Sequence, residues 1–146
     1  SDAGYGFIGR VEDMISKNKA GKSYLSVPNG AQSMSPHRVE ALDDQLIAAF
    51  TTEGRLLIFQ AKELPELGRG KGNKLINIPS AALKNRTEFL GHVLIFSETD
   101  ALTVYSGKRH ITLTLKELTH YRGERARRGL KLPRGFQKVD RVELKR

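Results

Sequence analysis

The chain repeats itself, and the repeat limits its fold more than any single motif does. The segments GKSYLSVP (21–28), GNKLINIP (72–79) and ARRGLKLP (126–133) end on prolines that stand 51 and 54 residues apart. In each, the residues one and three places before the proline are aliphatic: Val27 and Leu25, Ile78 and Ile76, Leu132 and Leu130. A two-residue period predicts a strand with one buried face. Proline ends it, because it has no N–H to give a neighbouring strand. A second echo lies upstream. RVEDM (10–14), QAKEL (60–64) and TLKEL (114–118) share an acid followed by Met or Leu. The acids Asp13, Glu63 and Glu117 are 50 and 54 residues apart.

More strands fill the intervals. YGFIG (5–9), RLLIFQ (55–60) and HITLTL (110–115) precede the acids, and the last alternates Ile and Leu with Thr. LIAAFT (46–51) turns at TEG into RLLIFQ, and ALTVYS (101–106) turns at GKR into HITLTL, two hairpins with glycine in the turn. HRVEAL (37–42), EFLGHVLIF (88–96) and VDRVEL (139–144) supply a fourth strand. Four strands per copy at this period predict an all-β fold of propeller blades. The copies run over about 1–43, 44–96 and 97–146 within one domain, 1–146. Three copies should hold twelve strands, and eleven are found. SDAGYGFI (1–8) aligns on TTEGRLLI (51–58), so the first blade is expected to lack its initial strand. Because Ser1 and not Met comes first, the chain is read as a piece of something longer.

The net charge of +9 is unevenly spread. Residues 1–104 hold 12 basic and 12 acidic residues, whereas 105–146 hold 13 basic and 4 acidic ones. A field of that kind attracts polyanions and speeds their association. Nucleic acid is the first expectation. Anionic lipid ranks behind it, for want of an amphipathic basic helix. The absence of cysteine removes disulfides and thiolate chemistry. No apolar run approaches the roughly 18–20 residues of a membrane span.

Small-molecule chemistry finds little support. His37, His92, His110 and His120 lack the spacing of metal ligands and read as surface or packing residues. Tyr5, Tyr24, Tyr105 and Tyr121 have no activating base or acidic metal cluster nearby in sequence, so packing is expected of them. GRGKGNK (68–74) lacks the order of a P-loop and leads into a strand, where a phosphate-binding loop would open a helix.

The basic residues gather just before each proline-terminated strand. The first copy has Lys17, Lys19 and Lys22; the second has Arg69, Lys71 and Lys74. The third has Arg122, Arg125, Arg127 and Arg128, then Lys131 and Arg134. One position per blade maps to one rim of a disc, so these clusters predict a curved basic track. Such a track suits duplex DNA, whose phosphates give sequence-independent, salt-sensitive affinity and whose bending must be offset by contacts along the curve. Neighbouring glycines let backbone amides come near phosphates. The ten aromatic residues do not interleave with the clusters, which argues against single-strand binding.

With these residues in view, the sequence closely resembles the C-terminal domain of the proteobacterial DNA topoisomerase IV A subunit, whose paralogue is the C-terminal domain of the gyrase A subunit. The resemblance rests on KNKAGKSYLSVP (17–28), LPELGRGKGNKLINIPSA (64–81), VYSGKRHITL (104–113), LTHYRGERARRGLKL (118–132) and GFQKVDRVEL (135–144). It implies a β-pinwheel, a propeller-like disc whose blades exchange strands, with duplex DNA on a basic outer surface. It implies a cytoplasmic, chromosome-associated parent enzyme of two A and two B subunits. That enzyme passes one duplex through another with ATP and Mg²⁺. Its nucleophilic tyrosine and its ATPase site fall outside this stretch, so no catalytic residue, metal or cofactor is expected here. A condensin-type chromosome protein is a further partner that the resemblance brings in. Gyrase carries the box Q-R-R-G-G-K-G where this chain has Glu66-Leu67-Gly68-Arg69-Gly70-Lys71-Gly72, and only Gly70, Lys71 and Gly72 match. The departure favours positioning or bending of DNA over gyrase-type wrapping. The rival from another class is a propeller that docks a protein partner.

Overall fold

The computed structural model describes residues 1–14 and 23–145. Its strands are β1 (Tyr5–Gly6), β2 (Gln45–Thr51), β3 (Arg55–Gln60), β4 (Asn73–Lys74), β5 (Leu90–Ser97), β6 (Ala101–Ser106), β7 (Arg109–Leu113), β8 (Leu130–Lys131) and β9 (Arg141–Lys145). The helices are short: α1 (Val11–Met14), α2 (Ser80–Lys84) and α3 (Leu115–His120), with a 3-10 turn at Ala61–Glu63. All strand pairs within the sheets are antiparallel, in the orders β1-β4, β5-β2-β3-β8 and β7-β6-β9.

The central sheet is built across a repeat boundary. β2, β3 and β5 come from the second copy, but β8, the strand before Pro133, comes from the third. In the same way β4 of the second copy pairs with β1 of the first. The proline-terminated strands of the second and third copies therefore complete the sheet of the copy before, which is the strand exchange of a β-pinwheel.

The ladder register corrects the alignment on prolines. Tyr5 faces Lys74 and Arg55 faces Lys131. Leu75 N–H donates to Gly4 C=O and Leu132 N–H to Gly54 C=O. Leu132 thus corresponds to Leu75, not to Ile78, and both are buried. Beyond Leu75 the second copy has three extra residues before its proline, and these bury Ile76 and Ile78 after the chain has left the ladder. Leu130 and Val27, expected on a buried face, are 44% and 38% exposed.

Two further expectations are corrected. HRVEAL (37–42) forms no strand. In the other copies the equivalent strand, β5 or β9, pairs with the first strand of its own repeat, β2 or β6. No strand among the described residues lies beside 37–42 in that way. HITLTL stops being a strand at Leu113, because Thr114 caps α3. Its backbone N–H donates to the Glu117 carboxylate at 3.0 Å, while its hydroxyl also meets that carboxylate. Gln60 N–H does the same to Glu63 at 3.1 Å. In the second and third copies the recurring acid is thus a helix-capping device, satisfying amides that the first turn leaves without partners.

Burial follows the pattern of each strand. β2 and β3 read as continuous apolar runs because both faces are covered. Leu46, Ala48, Phe50, Leu56 and Ile58 pack with Leu102, Val104, Leu113, Leu118, Tyr121 and Leu132. Ile47, Ala49, Leu57 and Phe59 pack on the other side with Leu64, Leu75, Ile76, Ile78 and Leu90. The third sheet alternates instead. Its inner face adds to the first of these cores, and its outer face carries Thr103, Tyr105, Thr112, Arg141 and Glu143. There Tyr105 donates to Glu143 and lies under Arg141.

Candidate nucleic-acid interface

The two described basic loops are mounted alike. Ile8 receives the 65–67 stretch through its N–H to Pro65 C=O at 2.9 Å and its C=O from Leu67 N–H at 2.8 Å. Ile58 receives the 121–123 stretch through its N–H to Tyr121 C=O and its C=O from Gly123 N–H, both at 2.9 Å. Each loop is hooked on the second strand-like segment of the preceding copy, then runs into β4 or β8. Equivalent placement on successive copies is what the repeat predicts for a track along a rim.

The loops differ in what their cations do. Arg69 and Lys71 are exposed, as are Lys131 and Arg134. Among the described residues, the side chains of Arg69, Lys131 and Arg134 make no hydrogen bond or ion pair. Lys71 Nζ sits 4.3 Å from the centroid of the Tyr5 ring, a cation–π contact that leaves the charge without a counter-ion. Lys74 Nζ donates to Asn77 Oδ1 at 3.2 Å.

The guanidinium groups of 122–128 are engaged within the chain. Arg122 pairs with Glu98 at 2.9 Å, and Arg127 with Glu124 at 3.1 Å. Arg125 donates to Lys74 C=O at 2.6 Å, while its backbone N–H reaches Glu63 at 3.1 Å. Arg128 makes a two-pronged pair with Glu88, whose side chain is only 4% exposed, and reaches Asn77 C=O at 3.3 Å. A buried carboxylate needs such a partner, because the ion loses its water. Arg125 and Arg128 therefore fasten the third copy to the second, whereas Arg122 and Arg127 pair within the third. Lys17, Lys19 and Lys22 lie outside the described residues.

Of the glycines at the gyrase-box position, Gly72 serves close packing between copies. Gly72 has φ +84°, and a Cβ there would stand 2.1 Å from Gly6 O. Gly129, its equivalent in ladder register, has φ +77° and would meet Leu56 O at 2.9 Å. Gly70 N–H is taken by Tyr24 C=O at 2.9 Å, and Gly70 C=O accepts from Ser26 N–H.

Three contributors escape the sequence pattern. Tyr5 lies under Lys71, so an aromatic ring does meet a basic loop. Lys84 and Arg86 follow the proline and stand out of phase with the clusters. Arg86 has a left-handed backbone, φ 57°, and is fixed by Asp2 at 2.8 and 3.1 Å and by stacking 4.0 Å from the Phe89 centroid. Burial opposes ionisation of Asp2, but the Arg86 hydrogen bonds, the Gln32 N–H and the Arg86 charge outweigh it. The Asp2 carboxyl is thereby held below its usual range. No group of three or more His, Asp or Glu side chains among the described residues is placed to hold a metal. No helix among them is long and apolar enough to cross a membrane.

Paired sheets that trade their last strand, with basic loops hooked on each preceding copy, define a β-pinwheel of the kind found in the A subunits of type II topoisomerases. No family model matches the chain. It is 50% identical over 140 residues to the A subunit of DNA topoisomerase 4 from Pseudomonas aeruginosa, covering 96% of this chain and 19% of that protein. It is 44% identical over 144 residues to the corresponding protein of Escherichia coli K12, covering 99% of this chain and 19% of that protein. The solved structure of the E. coli ParC C-terminal domain superposes with a TM-score of 0.90 at 43% identity, covering 98% of this chain and 57% of that one. A crystal structure of a C-terminal domain of DNA topoisomerase IV superposes at 0.79 with 15% identity, a likeness of fold alone. The chain belongs to the family of DNA topoisomerase IV A subunits, among their C-terminal domains. It spans about a fifth of the length of these relatives.

Proposed function

We propose that this chain binds duplex DNA along its basic rim and positions or bends it for strand passage by a parent topoisomerase. The observation that carries the reading is a set of exposed cations, Arg69, Lys71, Lys131 and Arg134, on or next to loops mounted equivalently on successive copies. Spacing charge along one edge neutralises phosphates of one duplex in turn, and each neutralised phosphate releases counterions. The parent would supply ATP, Mg²⁺, the nucleophilic tyrosine and the B subunit; this stretch would supply affinity and path. Relaxation, unlinking of replicated chromosomes and any contact with a condensin-type protein belong to that whole enzyme.

The test is a gel-shift titration with a duplex of about 40 base pairs over a salt series. Binding that weakens steeply with salt and ignores sequence is expected. No binding at low salt defeats the reading. Charge reversal at Arg69 and Lys71 separates it from a protein-docking role, since duplex affinity should fall while docking through another face survives.

A further inference from the structure

We infer that the cleft between the turn at 28–31 and α2 is a seat for the phosphodiester backbone of the duplex, with Lys71 and Lys84 as its two phosphate-contacting groups. The inference rests on the duplex-binding reading above and adds a place and residues to it. The cleft holds about 530 Å³, and Tyr5, Gly30, Lys71, Ser80, Lys84 and Arg86 are among the residues that line it. Its walls come from different copies: the turn from the first, α2 and Lys71 from the second.

The lining is chemically one-sided. Among the described residues that line it, three side chains are cationic and none is a carboxylate. The three cations are held differently. Arg86 is locked by Asp2 and Phe89, so much of its charge is already balanced. Lys71 is steadied with its ammonium over the Tyr5 ring, and the residue is exposed. Lys84 lies in the last turn of α2, and among the described residues its side chain makes no hydrogen bond or ion pair. An anion entering the cleft would meet two unneutralised ammonium groups with a fixed guanidinium behind them. The mouth is open on the 28–31 side, where a Cβ added to Gly30 would touch nothing within 4 Å. Ser80 and Asn29 add neutral donors for non-bridging oxygens.

The same features choose between nucleic-acid forms. Single-strand sites stack unpaired bases on bare aromatic faces. Among the described residues, the one ring in the cleft, Tyr5, has a face covered by Lys71. Charge without a free stacking platform fits a paired backbone.

The experiment is fluorescence anisotropy with a labelled duplex of about 30 base pairs, for the unmodified chain, K71Q/K84Q and the control K116Q, across a salt series. Lys116 lies in α3, is exposed and does not line the cleft. The double variant should bind about 10-fold more weakly near 0.1 M salt, and its log–log salt slope should fall by about 1 to 2. K116Q should match the unmodified chain. Circular dichroism and thermal melting of the variants exclude a folding cause. An unchanged slope and affinity in K71Q/K84Q, with the unmodified chain binding, overturns the seat and leaves the function reading standing. Failure of the unmodified chain to bind overturns both. Titration with inorganic phosphate, followed by NMR shifts at Gly30 and Lys84, forms a second arm. Saturation there without any duplex effect marks a small-anion site and likewise overturns the proposal.

Discussion

Lys71 and Arg128 occupy the same place in the ladder register, 57 residues apart, and do opposite work. Lys71 rests on the Tyr5 ring and stays exposed. Arg128 inserts its guanidinium beside the buried Glu88 and the Asn77 carbonyl. The loops around them differ in the same sense. In 66–74 two cations, Arg69 and Lys71, remain available to an external anion, whereas in 122–128 all four arginines bond within the chain. A run of positive charge in a repeat is therefore two things at once. Part is an adhesive between copies, and part is surface offered to a polyanion.

The difference can be broken first at its shared frame. Gly72→Ala puts a Cβ 2.1 Å from the Gly6 carbonyl on a left-handed backbone. That clash is backbone against backbone, so a loss of about 4 kcal/mol or more is expected in chemical denaturation. Gly129→Ala should cost less, its closest approach being 2.9 Å. Equal effects would mean that the two loops are not held alike.

The adhesive half breaks next. Arg128→Ala leaves Glu88 buried without its partner, and about 3 kcal/mol of stability should go, the low end for a broken buried pair because Arg128 is one-third exposed. Arg128→Ala with Glu88→Leu should recover part of it, since an apolar group of similar size removes the orphaned charge. A melting temperature unmoved by Arg128→Ala would place the guanidinium among the surface charges after all.

The surface half shows the reverse signature. Arg69→Glu with Lys71→Glu should leave the denaturation midpoint within about 0.5 kcal/mol of the unmodified chain. Duplex affinity at about 0.1 M salt should drop at least about 10-fold, with a shallower salt dependence. Coupled losses of fold and affinity would erase the distinction between the loops.

A smaller effect follows from the Asp2–Arg86 pair. The Asp2 carboxyl is held below its usual range, so its contribution to stability is complete above the ordinary carboxylate pKa of about 4. It is lost as pH falls through the depressed folded-state value. Acid titration of stability should therefore be steeper in the unmodified chain than in Asp2→Asn, the curves converging below that value. The smallest change expected is at the cap of α3: Glu117→Ala removes the carboxylate that accepts from Thr114 and should cost about 1 kcal/mol or less.

Local chemistry made much of this legible in the sequence. Ile111 and Leu113 alternating with Thr112 in β7, apolar runs in β2 and β3, and glycine-bearing turns are short-range signals, and the elements formed where they stood. The recurring acid was visible too, though its role as a capping group needed the backbone. The proline alignment misled by three residues, because ladder register is set by hydrogen bonds to another copy. Leu75 and Leu132 align through Gly4 and Gly54, not through Pro79 and Pro133.

By itself, then, the sequence determined a repeated all-β chain with basic loops before proline-ended strands, since alternation, turn residues and charge act over a few neighbours. Only the tertiary structure decided which copy each strand completes and which cations stay free. The groups that settle those questions are remote in the chain. Glu88 lies 40 residues from Arg128, and the Lys74 carbonyl lies 51 from Arg125. Tyr5 meets Lys71 only because β1 and β4 pair across copies. Charge can be counted along a sequence, but whether it is neutralised inside the protein depends on what the fold brings within hydrogen-bond reach.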